Sequence, residues 1–195
     1  GLQFNSDGTK AFSIGRTSQA SASGPGMMYE YTLSTPWEIQ TATRTKLVSL
    51  LDDFPAGIDA FDFVFKPDGT KFFVTRQSGN SSDYQRSYID QYNLSTAWDI
   101  STAKRVKTFY TGNQSTNTSL RISPDGTVLI TLSIDTRIQY NEVNQYNLST
   151  AWDISTASHV YSVGPYIGYT GVTRYTWYFD ISPDGTRVYL GGAYT

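Results

Sequence analysis

The chain has 195 residues, 38% hydrophobic and 15% aromatic, enough for one substantial core. Only 16% of residues are charged and the formal net charge is −2, so nothing electrostatic points to nucleic acid or to insertion in an anionic membrane. Cysteine is absent, which excludes disulfides and thiolate metal sites, and no run reaches the roughly 18 apolar residues of a membrane span.

In chain order, Leu2 and Phe4 match Phe63 and Phe65 further on, so residues 2–4 read as the end of a strand. Asp-Gly-Thr follows, beginning at Asp7, and recurs at nearly equal intervals at Asp68, Asp125 and Asp184. Leu-Ser-Thr recurs at similar intervals at Leu33, Leu94 and Leu148. The two markers alternate in fixed order, which defines units of roughly 1–58, 59–115 and 116–174 and a partial unit 175–195. The opening Gly-Leu-Gln and the lack of a signal sequence read as a segment cut from a longer protein.

The second unit spells its elements most clearly. "DAFDFVF" (59–65) and "KFFVT" (71–75) are strands flanking "KPDGT". In that turn Pro presets φ, Asp bonds its own backbone and Gly takes a positive φ. "YIDQYNL" (88–94) is a third strand and "AKRVKTFYT" (103–111) a fourth. Between them lies the most repeated stretch, "QYNLSTAWDISTA", identical at 91–103 and 145–157 and loosely copied as "EYTLSTPWEIQTA" at 30–42. Thr96 with Asp99, and Thr35 with Glu38, have capping-box spacing and predict one helical turn, with Pro36 at its first position. Trp37, Trp98 and Trp152 then serve as structural anchors on the blade rim; the competing reading is a ring of sugar-stacking platforms.

Four short antiparallel strands per unit predict an all-β chain, a β-propeller with about three and a half blades present. A parallel β-solenoid is the alternative, with shorter repeats and no hairpin in each. "ISPDGTRVYLGG" (181–192) resembles the Ser-Pro-Asp-Gly hairpin of TolB-like and YVTN-type β-propellers. The whole unit resembles tandem repeats of the form "DGTK…YxYxLSTPWDISTA" in large bacterial and phage surface or virion proteins. That resemblance implies a propeller scaffold at an extracellular, cell-surface or virion location, and no particular activity. Open sheets at both ends imply further blades, a second copy or a filament as partners.

Few residues carry chemistry. The aspartates Asp7, Asp68, Asp125 and Asp184 could bind Ca²⁺, but each turn offers one carboxylate and a turn role explains it. His159, the only histidine, stands in an outer strand and cannot form a metal cluster. "GPG" (24–26) and "GYTG" (168–171) lack the helix of a phosphate cradle, so no cofactor is implied. Asp62, Arg121, Tyr178 and Asp180 depart from the repeat on the polar face of the inner strand, where they either carry a grafted function or form ion pairs in the channel. Tyr166, Tyr169, Tyr175 and Trp177 enrich one variable loop and suit contact with glycans or surface proteins. Asn80, Asn93, Asn113, Asn117 and Asn147 stand in glycosylation sequons. These features favour a non-enzymatic structural or adhesive module. The alternatives are a lactonase- or lyase-like enzyme using channel carboxylates such as Asp62 and Asp180, or a self-assembling filament subunit.

Overall fold

The computed structural model describes residues 1–16, 26–50, 59–77, 86–111, 116–135, 140–164, 174–182 and 184–194. Strands β1 (Leu2–Phe4), β2 (Lys10–Arg16), β3 (Gly26–Leu33) and β4 (Ala42–Ser49) form one antiparallel sheet in sequential order. A second sheet holds β5 (Asp59–Phe65), β6 (Lys71–Gln77), β7 (Ser87–Leu94) and β8 (Ala103–Tyr110). A third holds β9 (Thr116–Ile122), β10 (Val128–Asp135), β11 (Tyr140–Leu148) and β12 (Ala157–Val163). Strands β13 (Arg174–Ile181) and β14 (Val188–Tyr194) pair as a hairpin. Each of the three full units is thus a four-stranded meander of the propeller type, and the solenoid alternative is set aside.

The first hairpin of every unit closes on Asp-Gly-Thr. Asp68 Oδ1 accepts from the Thr70 N–H at 3.0 Å and the Thr70 hydroxyl at 2.6 Å, while the Gly69 N–H bonds the Lys66 carbonyl at 2.8 Å. Gly69 has φ +72°, which glycine adopts without a Cβ penalty. The carboxylates of Asp7, Asp125 and Asp184 are spent on their own Thr in the same way.

The core lies between consecutive sheets. Along β6, Phe72 joins a cluster with Phe12 and Phe65, while Phe73, pointing the other way, joins Leu120, Leu129 and Tyr146. A strand buried on both faces needs the unbroken apolar run "FFV" rather than alternation. Each such buried side chain contributes roughly 1.5–3 kcal/mol. The inner strands bulge at one repeat position, leaving Phe61, Thr118 and Trp177 out of the ladder.

The Leu-Ser-Thr segment differs from its expected form. The Asp99 N–H bonds the Thr96 carbonyl at 3.2 Å and Trp98 has φ +61°, which is the pattern of a type II turn rather than a capped helix start. Pro36 and Trp37 repeat this geometry with φ +66° at Trp37. A single 3-10 turn follows, at Ile39–Thr41, Ile100–Thr102 and Ile154–Thr156. The cap is the acidic residue itself: Asp99 accepts from the Ser101 N–H and Asp153 from the Ser155 N–H, while Glu38 makes no such bond. The shorter Asp reaches a donor two residues ahead, and Thr96 is not the cap.

Trp holds its left-handed φ because it closes onto the other marker. Its N–H bonds the carbonyl of Gly8, Gly69 or Gly126 in the same blade, at 2.9–3.0 Å. Its ring covers that glycine so closely that a Cβ there would collide with it. The two repeated motifs, separated in sequence by two whole strands, are one stacked unit.

Candidate functional site

The innermost strands β5, β9 and β13 bring three of the four repeat-breaking residues together. Arg121 Nη1 lies 3.0 Å from Asp62 Oδ2, and its Nε lies 2.9 Å from Asp180 Oδ1. Asp62 Oδ2 also accepts from the Ser119 hydroxyl at 2.8 Å and the Leu120 N–H at 3.3 Å. The channel expectation is corrected for Asp62: it is 7% exposed, held between sheets by donors from β9. A buried carboxylate needs such partners, because desolvation otherwise costs several kcal/mol. Arg121 is half-buried, and Asp180 stands open with its side chain 70% exposed.

Asp180 is the chemically available carboxylate. Partial burial pushes its pKa up, but the Arg121 hydrogen bond and charge, with the Ile181 N–H, outweigh it and hold the carboxyl below the ordinary range. Arg121 spends Nε and Nη1 on Asp180, Asp62 and its neighbour's carbonyl, and Nη2 makes no hydrogen bond among the described residues. The arrangement offers a fixed cation beside an ionised, solvent-facing carboxylate. Tyr178 lies two residues before Asp180 on the same strand face and is likewise exposed.

The other candidates fare unequally. Tyr166 and Tyr169 lie outside the described residues, and Tyr175 and Trp177 are described only as backbone of β13. Asn80 and Asn113 also lie outside them. Asn93 and Asn147 are exposed on third strands, but Asn117 is buried and donates to the Thr111 hydroxyl, so it has no room for a glycan. The three Trp do not form a ring of sugar platforms: Trp152 is 8% exposed, Trp98 is half-buried, and only Trp37 is open. His159 is exposed on β12, where its Nε2 meets the Ser162 hydroxyl at 2.7 Å. Ser162 donates onward to Asn144 Oδ1, so the imidazole donates to Ser162 and does not act as its base. Among the described residues no group of three or more His, Asp and Glu is placed to hold a metal ion.

One pair escaped sequence reasoning. Arg76 on β6 and Asp90 on β7 form a buried ion pair at 2.5 Å, with the Thr108 hydroxyl on Asp90 and the Arg76 guanidinium 4.2 Å above the Tyr88 ring. Departure from the repeat was the available signal: Gly15 and Tyr29 stand at these places in the first sheet, Ser133 and Asn144 in the third.

Four-stranded meanders whose inner strands converge on a polar cluster define the class, a β-propeller. A solved structure with this fold is that of Pseudomonas aeruginosa periplasmic gluconolactonase, PpgL, matched with a TM-score of 0.55 at 12% identity. The match covers 99% of this chain, which spans 64% of that protein's length, and the likeness is one of fold. That fold-mate is named as an enzyme, which counts against the expected structural or adhesive module and fits the enzymatic alternative better; at this identity the likeness assigns the chain a fold and no activity. No protein-family model and no curated protein matches the chain, so the likeness to bacterial and phage repeats rests on the motif residues alone. Among the described residues no helix is long and apolar enough to cross a membrane.

Proposed function

We propose that the chain belongs to a lactonase-type propeller hydrolase that acts on sugar lactones outside the cytoplasm. The single observation that carries this reading is Arg121, clamped by buried Asp62 and reaching the exposed, ionised Asp180. The gluconolactonase activity named for the fold-mate supports it.

In this reading Asp180 takes a proton from water as the water oxygen attacks the lactone carbonyl carbon. The carbonyl electron pair moves to oxygen, where the Arg121 Nη2–H stabilises the developing charge. Collapse breaks the ring C–O bond, and the departing alkoxide recovers the proton from Asp180, leaving a hydroxy acid. Asp62 is a positioning residue: it aims the guanidinium and touches no reacting atom.

The test is proton release from glucono-δ-lactone in weak buffer, corrected for spontaneous hydrolysis. Acceleration by the protein is expected, with Asp180→Asn losing about 10²-fold or more in kcat. Asp62→Asn should lower kcat with less change in KM. No acceleration above the spontaneous rate, or full activity in Asp180→Asn, overturns the proposal.

A further inference from the structure

The polar cluster stands on a second tier of contacts that the hydrolytic reading leaves unused. Where β9 carries Ser119 and Arg121, β5 carries Asp62 and Val64, and β13 carries Tyr178 and Asp180 at the same repeat places. A hydroxyl and a guanidinium therefore stand two residues apart on β9, and both close on one carboxylate of the preceding blade. The Ser119 hydroxyl donates to Asp62 Oδ2 at 2.8 Å, and Arg121 Nη1 donates to the same oxygen at 3.0 Å. Ser119 is 1% exposed, so its hydroxyl meets the carboxylate away from water. Thr75, fully buried on β6, fixes the backbone beneath: its hydroxyl accepts from the Asp62 N–H at 3.1 Å.

Asp62 Oδ2 thus collects the Ser119 hydroxyl, the Leu120 N–H and the guanidinium. The guanidinium divides its charge between that oxygen and Asp180 Oδ1, 2.9 Å from Nε. A carboxylate taken out of water draws strongly on every donor in reach, because an unmet lone pair costs more there than in solvent. The Ser119 hydroxyl meets part of that demand and leaves more of Arg121 for Asp180. Other charged or titratable groups along this line are few among the described residues. The Gly1 ammonium stands 4.0 Å from Asp62 Oδ1, Tyr189 pairs with Asp180 across the β13–β14 ladder, and Tyr178 shares the strand of Asp180.

We propose that Ser119 is a further positioning residue of this site, acting through Asp62 and Arg121 to set how firmly the guanidinium holds Asp180. The relay runs from hydroxyl to carboxylate to guanidinium to carboxylate and joins strands β9, β5 and β13. No bond is made or broken along it; each link orients the next and shares its charge. Without the hydroxyl, Asp62 draws the guanidinium toward itself and Asp180 loses part of its cation. The Asp180 carboxyl then rises toward the ordinary value of 3.8. The part Ser119 plays in catalysis rests on the hydrolase reading; the relay itself does not.

The 195-residue protein and its Ser119→Ala, Ser119→Cys and Ser119→Thr variants are titrated by carboxyl carbon NMR, with the Asp180 signal assigned by its loss in Asp180→Asn. Ser119→Ala should raise the Asp180 midpoint by about half a pH unit. Ser119→Cys nearly keeps the side-chain size but donates weakly, and should raise it as well. Ser119→Thr restores the hydroxyl and should return the midpoint to that of the parent protein. On glucono-δ-lactone the acid limb of kcat/KM should move with the midpoint while KM changes little. An unchanged or lowered midpoint in Ser119→Ala, or a rise that a folded Ser119→Thr does not reverse, overturns the proposal. If Ser119→Thr fails to fold, the Ala and Cys variants decide. A protein that does not accelerate lactone opening refutes the hydrolase reading alone, and the carboxyl titration still decides the relay.

Discussion

Two copies of one turn, at Trp37 and at Trp152, have nearly the same backbone and opposite surroundings. Their φ values are 66° and 61°, and each Trp N–H bonds the glycine carbonyl of its own hairpin. Yet Trp37 is 59% exposed and Ile39 53%, against 8% for Trp152 and none for Ile154. The difference is the neighbouring blade. Local sequence builds the turn and its glycine cover, and the preceding sheet decides whether the turn is core or surface. A repeated motif therefore has no single energetic value; it acquires one at its seam.

That comparison breaks most sharply at the Trp. Trp152→Ala should destabilise by about 4 kcal/mol through lost burial and the void left over Gly126, while Trp37→Ala should cost less than about 1 kcal/mol. Denaturant unfolding of the two variants measures the gap, and equal losses would refute a seam-dependent role.

A smaller contrast lies beneath the rings. Gly126→Ala meets both a left-handed φ of +77° and the Trp152 ring, and should cost about 3 kcal/mol. Gly185→Ala meets only the φ strain and should cost about 1 kcal/mol, read from the same unfolding curves.

The smallest effect is electrostatic. A hydrogen bond from Lys46 and others from Ser101 hold Asp99 down to about 2, and Lys107 with Ser155 does the same for Asp153. Because the folded pKa lies below the unfolded value near 4, the stabilisation is complete above pH 4 and is lost as pH falls toward 2. These pairs are partly solvated, so each contributes under about 1 kcal/mol. Lys46→Met should flatten that limb of the acid titration of stability, read as the pH dependence of the urea unfolding midpoint.

The Asp-Gly-Thr turns and the strands flanking them were legible in the chain because each depends on residues within a few positions of one another, and the repeat length was legible from the recurrence of the two markers. The cluster was legible only in part. Asp62, Arg121 and Asp180 stood out as departures from the repeat, but standing one repeat apart they carry no sign that one guanidinium would join both carboxylates. Burial of Asp62 was misread for the same reason: alternation assigns a side chain to a face, and whether that face meets water or the next sheet depends on blade packing. The Thr-x-x-Asp spacing misled because a type II turn and a capped helix share its letters. The outcome rests on the Trp ring finding the glycine of another hairpin.

Within each unit the letters of the chain settle the structure: strands set by alternation, turns set by Pro, Asp and Gly, and a Trp turn repeated in each full blade. These are short-range choices, decided by φ/ψ preference and side-chain reach. Which turns are buried, and that Arg121 bridges two carboxylates, emerge only when the blades pack. Those outcomes depend on contacts between strands a full repeat apart, where the stacking of sheets, rather than any local preference, brings the groups together.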